Sequence, residues 1–244
     1  DAIRPEQLDA LAEAVRSLIG VKYLLFRSAA SFLNSLARLP PATLHRQKIS
    51  RLLRKDSTGN SLPGMILIGS HVSLSDIQLE RLLKNPNCQG VELSVSKVAS
   101  IFNSNEKEFL IKDLELSCCL KLEESILNHK TPVLYTSRGE LEFSEVKIRL
   151  NFGYFLAELM SRIAKYFVPN LGYIISKGGI TTHVLLREGL GLKSVTLEGQ
   201  IFPGLSIVMA SNYTLIEDFP IVTFPGNLGN SETLLDAWRL IDSC

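Results

Sequence analysis

Apolar residues follow two periods along this chain. Continuous apolar runs bounded by turn residues recur at Val21–Phe26, Met65–Ile68, Gly90–Val95, Thr131–Ser137, Tyr173–Ile175 and Pro220–Phe224. Short runs of this kind suit strands covered on both faces. Between them the spacing becomes helical. Leu8, Leu11, Ala12, Val15, Leu18 and Ile19 share one face of a helix predicted over 5–19, opened by Pro5 and closed by Gly20. A second helix follows Arg27–Ser31 and runs to Pro40-Pro41. Leu74, Ile77 and Leu82 mark a third, and residues 105–128 a fourth. Phe152, Phe155, Leu156, Leu159 and Ile163 form the core stripe of a long helix from Ser144 to Phe167. Leu234, Leu235, Trp238 and Ile241 mark the last.

Strands that alternate with helices predict an α/β fold: a mainly parallel sheet with helices on both faces, a three-layer sandwich. Shorter β-type runs at 194–197 and 206–209 flank the turn Phe202-Pro203-Gly204. Residues 40–63 read as a linker, with Asp56–Ser61 as loop chemistry, and the domain boundary is placed near residue 60. The basic positions Arg46, Lys48, Arg51, Arg54 and Lys55 read as a solvated helix face, with phosphate contact as the alternative, because no aromatic residues interleave them and a loop follows.

Composition changes this picture little. The 244 residues are 45% hydrophobic and 21% charged, with a formal net charge of +1. That balance offers no bulk electrostatic case for nucleic acid or a membrane surface, and no apolar run reaches the ~18 residues of a membrane span. Cys88, Cys118, Cys119 and Cys244 fit no zinc spacing, so a reduced, cytoplasmic protein is expected. The chain opens on Asp1, which suits a piece of a longer protein.

Candidate chemistry lies where strands end. Met65–Ile68 runs into Gly69-Ser70, Tyr173–Lys177 into Gly178-Gly179-Ile180-Thr181, and Pro220–Phe224 into Pro225-Gly226-Asn227-Leu228-Gly229. Glycine lets a backbone approach an anion closely. The first amides of a following helix are unpartnered and lie at its positive end. Thr181 or Thr182 would cap the helix and offer a hydroxyl. An ordinary strand-to-helix turn has the same composition, so each turn alone is a weak signal. In a parallel sheet, however, carboxyl-end loops gather on one edge, so three such turns would converge on one anionic ligand such as a nucleotide. Ser70 and Gly226 are expected on opposite walls of that cleft, with Arg27 near its border. His71 reads as an exposed loop residue, with a catalytic base as the alternative. No Gly-x-x-x-x-Gly-Lys-Ser/Thr, post-strand Gly-x-Gly-x-x-Gly, Gly-x-Ser-x-Gly or metal-ligand cluster occurs.

At these turns the chain resembles the four-carbon acid sugar kinase family, in its carboxyl-terminal nucleotide-binding domain. The family's Gly-Ser-x-Ser-x-x-Thr-x-x-Gln is met by Gly69-Ser70-His71-Val72-Ser73-Leu74-Ser75-Asp76-Ile77-Gln78. Its Gly-Gly-Asp/Glu-Thr is met by Gly178-Gly179-Ile180-Thr181, its Pro-Gly turn by Pro203-Gly204, and its Lys-Ser-Gly-Asn-Phe-Gly by Phe224–Gly229. Order and spacing agree over residues 62–242, and residues 1–39 resemble the end of the family's substrate domain. Val72, Ile180 and Phe224-Pro225 depart from the family pattern. The Lys177-Gly-Gly-Ile-Thr and Phe-Pro-Gly-Asn version is similar to a plant and bacterial branch, sometimes fused to a class II aldolase.

The resemblance implies that residues 61–244 bind nucleotide, and that 1–60 are the tail of a sugar-acid domain plus linker. Ser70, Gly178, Gly179, Ile180, Thr181 and Gly226 would hold ATP with Mg²⁺. The expected activity is phosphorylation of a four-carbon sugar acid of tetronate or 3-oxo-tetronate type. The catalytic carboxylate is expected in an amino-terminal domain carrying Asp-Asp-x-Thr-Gly, which this chain lacks, so the fragment alone is expected to be inactive. Two other readings stay open: a non-catalytic α/β scaffold or regulatory domain that has lost the nucleotide, and another α/β enzyme acting on a phosphorylated metabolite.

Overall fold

The structure, a computed structural model, describes residues 2–39, 43–138, 145–210 and 218–244. The chain forms two compact units, Asp1–Ala42 and Thr43–Cys244. The first holds α1 (Pro5–Arg16) and α2 (Ala30–Ala37). Arg16 joins them by donating from Nη1 to the carbonyls of Ser35 and Leu36 at 2.8 and 2.7 Å.

Val21–Phe26, expected as a strand, is not one; only Lys22 forms an isolated bridge, to Ile19. Val21, Tyr23 and Leu25 are exposed. A strand exists only through the neighbours that take its backbone hydrogen bonds, and among the described residues of this unit only that single bridge forms. Arg27 lies in the same extended stretch ahead of α2. Pro40-Pro41 and Ser144 lie outside the described residues.

The second unit opens inside the expected linker. Arg46–Leu52 forms α3, and Ile49 and Leu53 are buried. Arg46, Lys48 and Arg51 are exposed on this helix, whose apolar positions anchor it to the core, and Lys55 is exposed beyond it. Arg54 is not part of a solvated face, because its Nη1 turns inward and donates to the carbonyls of Val168 and Leu171 at 2.9 and 3.2 Å. The two compact units divide between Ala42 and Thr43.

The remaining elements are β1 (Gly64–Ile68), α4 (Ser73–Leu83), β2 (Cys88–Leu93), α5 (Val95–Phe102), α6 (Lys107–Leu127), β3 (Thr131–Thr136), α7 (Val146–Phe167), β4 (Tyr173–Lys177), α8 (Gly179–Val184), β5 (Val195–Phe202), β6 (Leu205–Ala210), β7 (Pro220–Phe224) and α9 (Thr233–Asp242). They build a seven-stranded sheet in the order β2-β3-β1-β4-β7-β6-β5. Strands β2, β3, β1, β4 and β7 are mutually parallel, while β6 runs antiparallel to both its neighbours.

Alternation within the buried strands assigns the layers. Met65, Leu67 and Ile174 face one cluster with Leu114, Leu122, Leu159 and Ile163 from α6 and α7. Ile66, Ile68 and Ile175 face the other, with Leu79, Leu82, Leu234 and Trp238 from α4 and α9. The result is the three-layer α/β sandwich. Along α6 the buried positions are Ile111, Leu114, Cys118 and Leu122, whereas Phe109, Leu116 and Leu120 are exposed. The apolar stripe is thus narrower than composition suggested.

Candidate functional site

Parallel pairing of β1 with β4, and of β4 with β7, puts the carboxyl ends of all three strands side by side. The three glycine turns therefore meet on one edge. The peptide N–H of Gly69 donates to Lys177 O at 3.2 Å, and that of Gly178 to Phe224 O at 2.9 Å. The turns after β1 and β7 also close over the end of β4. A Cβ on Gly226 would lie 2.5 Å from Ser70 Oγ, so these two residues touch. They do not stand on opposite walls.

Each candidate residue has its own setting. Gly178 has φ +120°, a conformation that favours glycine, and forms the N-cap of α8. Gly179 opens the helix, and a Cβ there would meet nothing within 4 Å. Ile180, which stands where the family has an acid, is 51% exposed on the rim. Thr181 is buried between the first two turns, its Oγ1 against Gly69. Neither threonine caps α8. Thr182 turns back into the sheet instead, donating from Oγ1 to Ser176 O at 3.1 Å. Ser70 Oγ lies 3.0 Å from Ser75 Oγ, within hydrogen-bond reach. Val72 holds the N-cap position of α4 without a capping side chain.

Beside the motif residues Ser75 and Gln78, the structure adds Lys177 and Arg138 to the site. Lys177 is fully buried at the end of β4. Its Nζ donates to the carbonyls of Pro225 and Gly226 at 3.2 and 3.0 Å and lies 4.0 Å from the centre of the Phe224 ring. Ser75 Oγ donates to Gly226 O at 2.9 Å, and Gln78 Nε2 to Leu228 O and Asn230 O at 3.1 and 2.5 Å. Gln78 Oε1 is left buried without a partner, an arrangement that costs about 1–3 kcal/mol. Arg138 Nη1 donates to Ser70 O at 2.6 Å and pairs with Asp76 at 2.9 Å. Burial weighs against the Arg138 charge, and Asp76 offsets it. In the sequence, Ser75 and Gln78 are motif positions and Lys177 precedes the Gly-Gly turn, but nothing there marks Lys177 as buried.

Burial pushes the Lys177 ammonium down from 10.5 to about 8. Between these values the unfolded chain binds more protons than the folded one, so folding stability rises with pH through that window. The stability of the wild type minus that of Lys177→Met is therefore expected to increase from about pH 8 to about pH 10.5. Urea unfolding of both proteins across this range measures it; a flat difference would contradict a desolvated ammonium.

The site's own donors are amides and hydroxyls. Asp76 is engaged by Arg138, Ile180 is apolar, and among the described residues no group of three His, Cys, Asp or Glu could hold a metal. Magnesium bound by a protein normally uses one or two carboxylates with substrate phosphates. These residues do not fit a Mg²⁺ site by themselves. Among the described residues, no helix is long and apolar enough to cross a membrane.

No curated protein matches this chain significantly. Among solved structures, a domain of unknown function (DUF1537) from Bordetella bronchiseptica is similar in two crystal forms, both with bound citrate and a domain-swapped dimer. It is 14% identical, with TM-scores of 0.58 and 0.54, over 99% of this chain and 52% and 50% of that one. A protein from Salmonella typhimurium LT2, provisionally named a tRNA synthase, is 17% identical with a TM-score of 0.57, over 98% of this chain and 51% of that one. The chain thus spans about half the length of these solved proteins. Their likeness concerns the fold. The family model of the nucleotide-binding C-terminal domain matches residues 65–234, a span that contains all three turns and most of the chain. With that match, the chain belongs to the family of nucleotide-binding C-terminal domains.

Proposed function

We propose that this chain is the ATP-binding part of a kinase that phosphorylates four-carbon sugar acids of the tetronate or 3-oxo-tetronate type. The observation that carries this reading is the meeting of three glycine turns on one sheet edge, within the span matched by the nucleotide-binding family. Such edges are where open α/β sheets take ligands. Ser70, Gly178, Gly179, Ile180, Thr181 and Gly226 surround the phosphates, and the N-termini of α4 and α8 point their unpartnered amides at the same place. Phosphoryl transfer needs positioning and charge stabilisation more than covalent chemistry from the protein. This unit supplies the positioning. The catalytic carboxylate comes from an amino-terminal substrate domain of the same longer chain, in which a fused aldolase part would be a further partner.

The first unit, with the stretch up to residue 60, is the tail of that substrate domain and its linker. Support comes from its thin core: among its described residues only Ala12 and Phe32 are buried apolar side chains, while Val21, Tyr23 and Leu25 are exposed. We place the full protein in the cytoplasm, where its free thiols would remain reduced.

Calorimetric titration of residues 1–244 tests the reading. ATP is expected to bind, a sugar phosphate is not, and no tetronate is turned over. Turnover by the fragment would show the carboxylate to be misplaced. Binding of neither ligand would favour the scaffold reading, which the apolar Val72 and Ile180 motivate. Preference for the sugar phosphate would favour an enzyme of phosphorylated metabolites.

A further inference from the structure

Three fully buried donors, Lys177, Ser75 and Gln78, point at a single loop, residues 225–230. Between them they engage the carbonyls of Pro225, Gly226, Leu228 and Asn230. In a trans peptide the carbonyl and the following N–H point in opposite directions. Drawing the carbonyls of Pro225, Gly226 and Leu228 inward therefore turns the amides of Gly226, Asn227 and Gly229 outward. Among the described residues these three amides have no hydrogen-bond partner, whereas that of Leu228 donates to Pro225 O at 3.3 Å. Gly229 has φ +81°, which lets the loop reverse direction between adjacent amides. Asn227 and Gly229 are exposed and Gly226 is half-buried, so a ligand can reach them.

We propose that Lys177, Ser75 and Gln78 are positioning residues that shape loop 225–230 into a receptor for an oligophosphate anion, held by the amides of Gly226, Asn227 and Gly229. Successive outward amides form an anion-binding concavity. Lys177 adds a positive charge directly behind it. No carboxylate engages that charge among the described residues; its contacts are the two carbonyls and the Phe224 ring. Arg138 treats the first turn in the same way: its bond to Ser70 O turns the amide of His71 outward. A desolvated ammonium and the orphaned Gln78 Oε1 are two costs concentrated on one loop. Sites that keep such costs are candidates for function. The proposal rests on the nucleotide reading and deepens it, because it names the amides that take the phosphates.

The test uses ¹⁵N spectra of the whole chain with ATP, adenosine and inorganic tripolyphosphate. Tripolyphosphate and ATP are expected to shift the amides of Gly226, Asn227 and Gly229, and adenosine is expected to leave them in place. In Lys177→Met, Ser75 still holds the Gly226 carbonyl and Leu228 N–H the Pro225 carbonyl. That variant should bind ATP and tripolyphosphate about tenfold more weakly while its adenosine affinity is unchanged. A merely structural lysine would lower all three affinities together, and that result would overturn the proposal. ATP binding that leaves the three amides unmoved would overturn it too, with the nucleotide reading intact. Tripolyphosphate binding at these amides with no preference for ATP would support the receptor and sink the nucleotide reading. If Lys177→Met fails to fold, the wild-type amide shifts decide alone.

Discussion

Gly179→Val is expected to fold like the wild type and to bind ATP about 100-fold more weakly, a loss of about 2.7 kcal/mol. The reason is geometric. A Cβ at this position meets no protein atom within 4 Å, and the backbone there lies in the ordinary helical region. The protein itself gives valine no reason to unfold it. What the branched side chain would occupy is the open space above the first turn of α8, where the proposed phosphates sit against the amides of Gly179 and Ile180. Gly179→Ala, with one methyl, should fall between the two. Calorimetry with ATP, beside thermal unfolding, separates the effects. A folded Gly179→Val with unchanged affinity would mean that this turn does not carry the nucleotide.

Gly69→Ala is expected to do the opposite, losing about 2 kcal/mol of folding stability through overpacking. A Cβ on Gly69 would lie 2.1 Å from Thr181 Oγ1 and 3.2 Å from Thr181 Cβ. Thr181 is buried in α8 and is stiff about χ1, so it cannot swing aside freely. The first and second turns would have to separate, and with them β1 and β4. The double variant Gly69→Ala/Thr181→Ala removes the obstructing hydroxyl and should recover most of the loss. Two residues in contact are expected to couple in this way. Denaturant unfolding of the single and double variants measures the coupling, and strict additivity would place the strain elsewhere.

These two glycines read alike in the sequence, each directly or nearly following a buried strand. Only packing tells them apart. One faces Thr181 across the gap between neighbouring turns, and the other faces open space. The same limit explains Val21–Phe26. Its composition matches Met65–Ile68, but the latter lies between β3 and β4, while among the described residues of its unit the former pairs only through the bridge of Lys22 to Ile19. The short helix α5 is hidden in the sequence for a different reason: Val98 and Ile101 carry helical spacing, but the stretch is short and directly follows the apolar run of β2.

What the sequence determined by itself is the layer architecture. Runs of apolar residues such as Met65–Ile68 and Tyr173–Ile175 demand cover on both faces, and the helical stripes between them supply it. Strands joined by such helices run parallel, so the glycine turns after β1 and β4 had to share an edge; β7 follows the antiparallel β6, and only the tertiary structure put its turn beside them. The motif order within 65–234 was legible for the same reason, since backbone approach to an anion requires glycine at particular positions. The tertiary structure alone decided strand order, which made β7 the neighbour of β4 and brought Gly226 against Ser70. It also decided the fate of Lys177. A lysine at a strand end is ordinarily a surface residue. Here the first and third turns close over it, and Phe224 and the carbonyls of Pro225 and Gly226 replace water around its ammonium. Burial of that kind is a property of neighbours distant in the chain, and no local pattern of residues encodes it.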